Sequence, residues 1–269
     1  MSRFCLILTH YLKRSFADAK ELVLILAIPL GLIIFMILIG GEVQGIYLNG
    51  YHVLGSHAAP AMLLSFQFFN SAFMFLYLYA DFRSDRRWRL LASPCPVRTF
   101  VFPAFIANWI LSVGIGIAII IIAALFMNIY WSNIFVLLTV LALVSLIATF
   151  TAVLIFLFTK RITQANAVGY IIAFGLMILS GFMVPLGLFG DNIIVRFLTN
   201  YGTPLSLGTA AVISSGSLYG IFPEDINIVF AGVGIGGGMQ RALINIGILA
   251  AMALILGLFT AIVARRRKI

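Results

Sequence analysis

The chain has 269 residues, of which 63% are hydrophobic and only 9% are charged. A soluble domain carries roughly a quarter charged residues, so this chain has too few polar side chains to surround a large core. Lipid must supply the outer surface, and we expect an all-α, polytopic membrane protein with one transmembrane domain over residues 1–269. The net charge of +9 does not indicate nucleic-acid binding, because the basic residues lie in short segments between long apolar runs.

Six uncharged apolar runs follow one another, each about as long as the 20 residues that a membrane-spanning helix needs. They are Leu22–Gly41, Pro60–Ala80, Phe100–Met127, Ile134–Thr159, Asn166–Gly190 and Ala242–Ala264. We therefore expect six transmembrane helices. An even number of spans brings both termini to the same side of the membrane.

The basic residues are distributed unevenly between these runs. Of the 17 Lys and Arg residues, all but Arg196 and Arg241 fall in segments that six spans would place on one side. The positive-inside rule makes that side the cytoplasm. The sequence thus predicts a multi-pass protein of the cell (plasma or inner) membrane with both termini cytoplasmic.

Residues 3–20 have the pattern of an amphipathic helix, with apolar side chains on one face and basic ones on the other. The basic residues expected on its polar face include Arg3, Lys13, Arg14 and Lys20. Such a helix lies in the headgroup plane with its cations toward anionic lipid, so we expect an interfacial helix. Packing against a soluble partner helix is the alternative.

The predicted cytoplasmic loop of residues 81–99 is short and dense in arginine. Its middle can form about two helical turns before Pro94 and Pro96 stop the helix. Two or three positive charges would satisfy topology, but this loop has five arginines and a tryptophan. We expect a protein to dock here, the alternative being a cluster that only sets topology. The expected docking residues are Asp81, Arg83, Asp85, Arg86, Arg87, Trp88, Arg89, Leu90 and Leu91.

The predicted extracytoplasmic segment of residues 191–241 is mostly apolar and carries only five charges. An exposed loop would be more polar, and one further full span would move the C-terminus across the membrane. We therefore expect one or more re-entrant or interfacial helices between spans five and six. Thr203 and Pro204 are the predicted N-cap and first position of a helix over Pro204–Ser215.

The apolar runs lack the groups that intramembrane enzymes and proton-coupled carriers use, because none has an ionisable side chain in its interior. His52 and His57 lie apart from any cysteine or carboxylate cluster, and the chain has no ATP-binding motif. We expect no enzyme activity, metal or cofactor in this chain. Energy for transport against a gradient would have to enter from a separate protein.

Four motifs resemble those of the membrane subunit of type-two ABC exporters. The amphipathic helix followed by LAIPLGLIIF, with Pro29, is similar to that family's connecting helix and first span. RRWRLLASPCPVRTF (residues 86–100) is similar to its inner-loop signature, although Arg83–Arg89 stands where the family often has Glu-x-x-x-Gly-Thr. LSGFMVPLGLF (residues 179–189) resembles its fifth span, and NYGTPLSLGTAAV (residues 200–212) resembles the Thr-Pro segment that follows.

This resemblance implies a permease that pairs with a second permease chain, identical or homologous, and with separate ABC ATP-binding subunits that hold the ATP and Mg. It favours the branch that exports drugs, antibiotics or antimicrobial peptides, with a hydrophobic or amphipathic substrate. It also implies structural or gating roles for Pro29, Gly181, Pro185, Thr203 and Pro204. The alternatives are a permease for a lipid-linked or polysaccharide substrate, and a membrane immunity or sensor protein that transports nothing.

Overall fold

The computed structural model of the chain describes residues 3–17, 23, 26–35, 38, 47–48, 51–71, 78–79, 81–83, 98–127, 129, 131–180, 197, 201–215 and 238–266. The helices in chain order are α1 (Arg3–Ala17), α2 (Leu26–Phe35), α3 (Val53–Asn70), α4 (Arg98–Phe126), α5 (Ile134–Phe158), α6 (Ile162–Leu179), α7 (Pro204–Ser215) and α8 (Gly238–Arg266). Two two-residue strands, β1 (Tyr47–Leu48) and β2 (Tyr51–His52), pair antiparallel just before α3. The described part of the chain is thus helical apart from turns and this hairpin.

Four helices are long and apolar enough to cross a membrane: α4, α5, α6 and α8. The 29 residues of α4 and of α8 make each about 43 Å long, which exceeds the roughly 30 Å of hydrocarbon in a bilayer. These helices match the third to sixth predicted spans, although α6 begins four residues before the predicted Asn166. The chain is a helical, membrane-embedded protein.

The first two predicted spans are matched less closely. Helix α2 covers ten residues of the first run, and the rest of that run lies largely outside the described residues. Helix α3 begins at Val53, ahead of the predicted Pro60, and ends at Asn70. Of the rest of the second run, only residues 71, 78 and 79 are among the described residues.

Two apolar clusters hold the helices together. The larger one lies between α3, α4, α5, α7 and α8 and includes Leu64, Leu137, Leu205 and Leu249. The second joins α1, Leu78, Tyr79 and Phe82 to the start of α4 and α6 and the last turns of α5 and α8. This second cluster therefore marks one end of the bundle, and we call it the α1 end.

Helix α7 is short and enclosed, because Pro204 through Ser214 are all buried. It packs against α3, α5 and α8. Thr203 caps it: the Ser206 N–H donates to Thr203 Oγ1 at 3.0 Å, and the Thr203 N–H donates to Ser206 Oγ at 3.2 Å. This helix and its first residues were predicted from the Thr-Pro pair, and both are confirmed.

We expect Thr203→Val to lower the free energy of unfolding by about 1 kcal/mol, because valine keeps the shape but removes the oxygen that accepts the Ser206 N–H. Thr209→Val is the matched control, since that buried hydroxyl only donates to carbonyls of its own helix. Thermal unfolding in detergent measures both variants. Equal losses would contradict the capping role of Thr203.

Candidate functional site

The α1 end holds five polar or charged side chains that join separate parts of the chain, and we call them the end cluster: Tyr11, Arg14, Tyr79, Asp81 and Arg83. The apolar face of α1 brings the first two into place, because Ile7, Leu8 and Leu12 pack against the bundle. Tyr79 lies next to the end of the second apolar run, and Asp81 and Arg83 come directly after that run. The cluster therefore forms where the amphipathic helix meets the start of the predicted docking loop.

Asp81 links this loop to α1. Its Oδ2 accepts a hydrogen bond from Tyr11 Oη at 2.7 Å, and its Oδ1 accepts one from Arg14 Nη1 at 3.1 Å. The Arg14 and Asp81 side chains are only 26% and 16% exposed, so the ion pair is partly shielded from water.

Tyr11 is held in its neutral form. Burial raises the pKa of its hydroxyl, and the charge of Asp81 and the hydrogen bond to it raise that pKa further, while Arg14 lowers it. The hydroxyl therefore remains a donor at neutral pH. A neutral donor and a cation together satisfy the two Asp81 oxygens.

Arg83 and Tyr79 link the same segment to the end of α5. Arg83 Nη2 donates to the Phe156 carbonyl at 3.3 Å, and its guanidinium lies 5.1 Å from the Tyr79 ring and 5.0 Å from the Phe156 ring. The Tyr79 hydroxyl lies 3.0 Å from the Thr159 carbonyl oxygen and 2.6 Å from its Oγ1. Tyr79 and Arg83 are therefore fixed to α5, and Asp81 to α1.

The structure places the other predicted site residues as follows. Arg3 opens α1, Lys13 is exposed on it, Pro29 is buried in α2, and Thr203 and Pro204 begin α7. Arg14, predicted to face anionic lipid, forms an ion pair with Asp81. Several predicted residues lie outside the described ranges: Lys20, Asp85, Arg86, Arg87, Trp88, Arg89, Leu90, Leu91, Gly181 and Pro185.

We expect Asp81→Ala to lower the free energy of unfolding by about 1–2 kcal/mol, because the hydrogen bonds that Tyr11 and Arg14 donate to this carboxylate are lost. In a double-mutant cycle with Arg14→Ala, the coupling energy should be about 0.5–1 kcal/mol. Lys13→Ala, which removes an exposed neighbouring cation, is the control and should change stability little. Strict additivity of the Asp81 and Arg14 losses would show that the ion pair contributes nothing.

A second polar group lies inside the bundle, and sequence reasoning missed it. Gln67 of α3 is fully buried, and its Oε1 accepts from Ser112 Oγ of α4 at 2.7 Å and from Ser145 Oγ of α5 at 2.9 Å. Gly116 leaves room for this amide, since a Cβ there would lie 3.1 Å from Gln67 Nε2. Three helices thus share one acceptor oxygen.

Further amides lie on the same helices and on α8. Asn108 of α4 donates to Thr149 Oγ1 of α5 at 3.3 Å. Asn245 of α8 is fully buried, and within the described part of the chain neither its Oδ1 nor its Nδ2 has a hydrogen-bond partner. The signal for these residues was available in the sequence, because Gln67, Asn108 and Asn245 are amides within the predicted spans. A search for ionisable groups alone passes over them.

The side chains of the end cluster hold one another and the ends of helices, so the cluster links separate parts of the chain. Within the described ranges, no three His, Cys, Asp or Glu side chains lie close enough together to hold a metal ion. Buried amides such as Gln67 fix neighbouring helices in register and donate or accept without carrying charge.

No protein-family model matches this chain, and no curated protein matches it either.

Proposed function

We propose that this chain is the permease subunit of a type-two ABC exporter that moves a hydrophobic or amphipathic drug, antibiotic or antimicrobial peptide out of the cell. In this proposal the chain spans the membrane six times with both termini in the cytoplasm. It pairs with a second permease chain. Separate ATP-binding subunits dock on the loop of residues 81–99 and on α1.

The observation that carries this proposal is the position of Asp81. It is bonded to Tyr11 and Arg14 of α1, while Arg83, two residues later, is bonded to the end of α5. A force on the loop would therefore reach α1 and a membrane helix together. Such a linkage suits a transporter whose helices are tilted by an ATPase outside the membrane.

The exposed surface of α8 is apolar, which supports the proposal of an apolar substrate and of a second membrane-embedded chain as partner. Large apolar side chains are exposed along α8, among them Leu254, Ile255 and Leu258. Lipid covers such a face in a membrane, and a second permease chain would cover part of it in a dimer. A path between two such chains would favour hydrophobic or amphipathic compounds.

The test is drug accumulation in cells that lack the gene and are complemented with this chain, with and without a candidate ABC ATP-binding subunit. Wild type should lower accumulation of membrane-active antibiotics only while ATP is available. A variant with Arg86→Glu, Arg87→Glu and Arg89→Glu should reach the membrane normally but lose the bound ATPase and the efflux. Lys160→Glu combined with Arg161→Glu, in another predicted cytoplasmic loop, is the control.

Two results would overturn the proposal. If the triple variant keeps both its complex with the ATPase and its efflux, the loop of residues 81–99 is not the docking site. If the chain protects cells without any ATP-binding subunit and without changing accumulation, it acts as an immunity or sensor protein instead.

A further inference from the structure

An apolar groove of about 640 Å³ opens between α4, α5 and α8 at the α1 end. Phenylalanine rings from two helices form much of its wall: Phe102 and Phe105 of α4, and Phe150 and Phe156 of α5. Its size falls within the roughly 300–1,000 Å³ of clefts that hold small ligands. It is distinct from the end cluster, because none of the five end-cluster residues lines it, although the Phe156 ring in its wall also lies 5.0 Å from the Arg83 guanidinium.

Small residues on α8 leave this space open. A Cβ at Gly257 would lie 2.9 Å from Cζ of the Phe150 ring, so only glycine lets the tip of that ring come this close to α8. The Phe150 ring in turn packs on Phe105, with the ring centroids 4.8 Å apart. Ala261 and Ala264 continue the lining toward the end of the helix. The groove therefore exists because α4 and α5 contribute large aromatic side chains while α8 contributes small residues.

The described residues that line the groove place almost no polar group inside it. Thr260 Oγ1 donates to the Leu256 carbonyl of its own helix at 2.7 Å, so this hydroxyl proton is already used. A free phosphate or a strongly polar solute would lose its hydration there without compensation. The interior suits a hydrocarbon chain.

One positive charge lies at the end of the groove. Arg265 is exposed in the last turn of α8 and is part of the lining. Within the described residues the one salt bridge joins Arg14 to Asp81, so no described carboxylate is paired with Arg265. A guanidinium beside a hydrocarbon slot complements an amphiphile with an anionic head.

We propose that this groove binds an anionic phospholipid from the leaflet at the α1 end, with one acyl chain along the phenylalanines and the phosphate on Arg265. Basic pockets between transmembrane helices recognise anionic headgroups in this way. The bound lipid bridges α4, α5 and α8 and so stabilises the end of the bundle to which α1 is attached. This lipid site depends only on the chain being embedded in a membrane, and it does not depend on what the chain transports.

The test uses the full chain in vesicles of phosphatidylcholine with either photoreactive phosphatidylglycerol or photoreactive phosphatidylcholine of identical acyl chains. Labelled peptides are mapped by mass spectrometry. Phosphatidylglycerol should label the groove residues of α4 and α8 more strongly than phosphatidylcholine does. Arg265→Gln should lower this preference about fivefold, the effect of one basic residue at a membrane surface.

Two neighbouring residues outside the groove provide controls. Arg266→Gln removes the same charge and should lower the preference less than about twofold at physiological salt, where diffuse surface charge is screened. Ala261→Trp should fill the groove and reduce labelling by both lipids to background, while Ile262→Trp, on the exposed face beside it, should leave labelling intact.

Several outcomes would overturn the lipid site. Equal labelling by the two lipids, or equal losses in the Arg265 and Arg266 variants, would leave only a diffuse charge effect. Labelling that survives Ala261→Trp would place the lipid elsewhere. Absence of labelling together with a cross-link between two copies of the chain through the groove would make it a dimer contact.

Discussion

Gln67→Ala is expected to lower the free energy of unfolding by about 3 kcal/mol, whereas Gln67→Leu should cost less than about 1.5 kcal/mol. Alanine leaves a cavity between α3, α4 and α5 and removes the acceptor shared by Ser112 and Ser145. Leucine removes the same acceptor but nearly fills the volume. Interhelical hydrogen bonds within membranes contribute only about 0.6 kcal/mol on average, so the lost volume should dominate.

Reversible unfolding in mixed micelles with increasing SDS measures both variants. Ser112→Ala isolates one of the two hydrogen bonds and is the control, with an expected loss of about 0.6 kcal/mol. If the leucine variant is as unstable as the alanine variant, hydrogen bonding rather than packing is the dominant contribution of Gln67. The two substitutions therefore separate volume from polarity at one site.

Gly208→Val is expected to lower the free energy of unfolding by about 3 kcal/mol, at the upper end of the usual cost of overpacking. A Cβ at Gly208 would lie 2.8 Å from Leu64 Cδ1 of α3 and 3.0 Å from Val140 Cγ1 of α5. Both neighbours are buried, so neither can swing away without disturbing the core. The added side chain must instead push α7 out of its position.

A second-site change tests this geometry directly. Leu64→Ala should recover part of the stability of Gly208→Val, because it removes the atom that lies closest to the new Cβ. Gly247→Val on α8 is the matched control and should be nearly neutral, since nothing lies within 4 Å of its Cβ position. Equal losses at the two glycines would show that the cost comes from the backbone rather than from crowding.

The long apolar helices could be read from the sequence because their bounds depend on local properties. Helix α5 begins at the predicted Ile134, where Asn133 accepts hydrogen bonds from the backbone N–H groups of Phe135 and Val136. It ends at Phe158, next to the basic pair Lys160 and Arg161. Charge and capping chemistry at both ends thus agree with the apolar run between them.

The contacts of the candidate site could be predicted from the sequence only in part. Asp81 was expected in the docking loop and Arg14 on the amphipathic helix, but their pairing was not predicted, because the two residues are 67 positions apart. Helical periodicity places Arg14 on a polar face without saying what that face meets. The Gln67 contacts were missed for a related reason, since the hydrogen-bond partners of a neutral amide in an apolar run depend on which helices pack around it.

The enclosure of α7 has a consequence for how the chain is made. Its 12 residues extend about 18 Å. This length is too short for α7 to be inserted as an independent membrane span, which must cross about 30 Å. One of its walls is α8, which leaves the ribosome after it. Helix α7 therefore cannot complete its packing until α8 has been synthesised, and a chain that stops before α8 would leave α7 without one of the helices that enclose it.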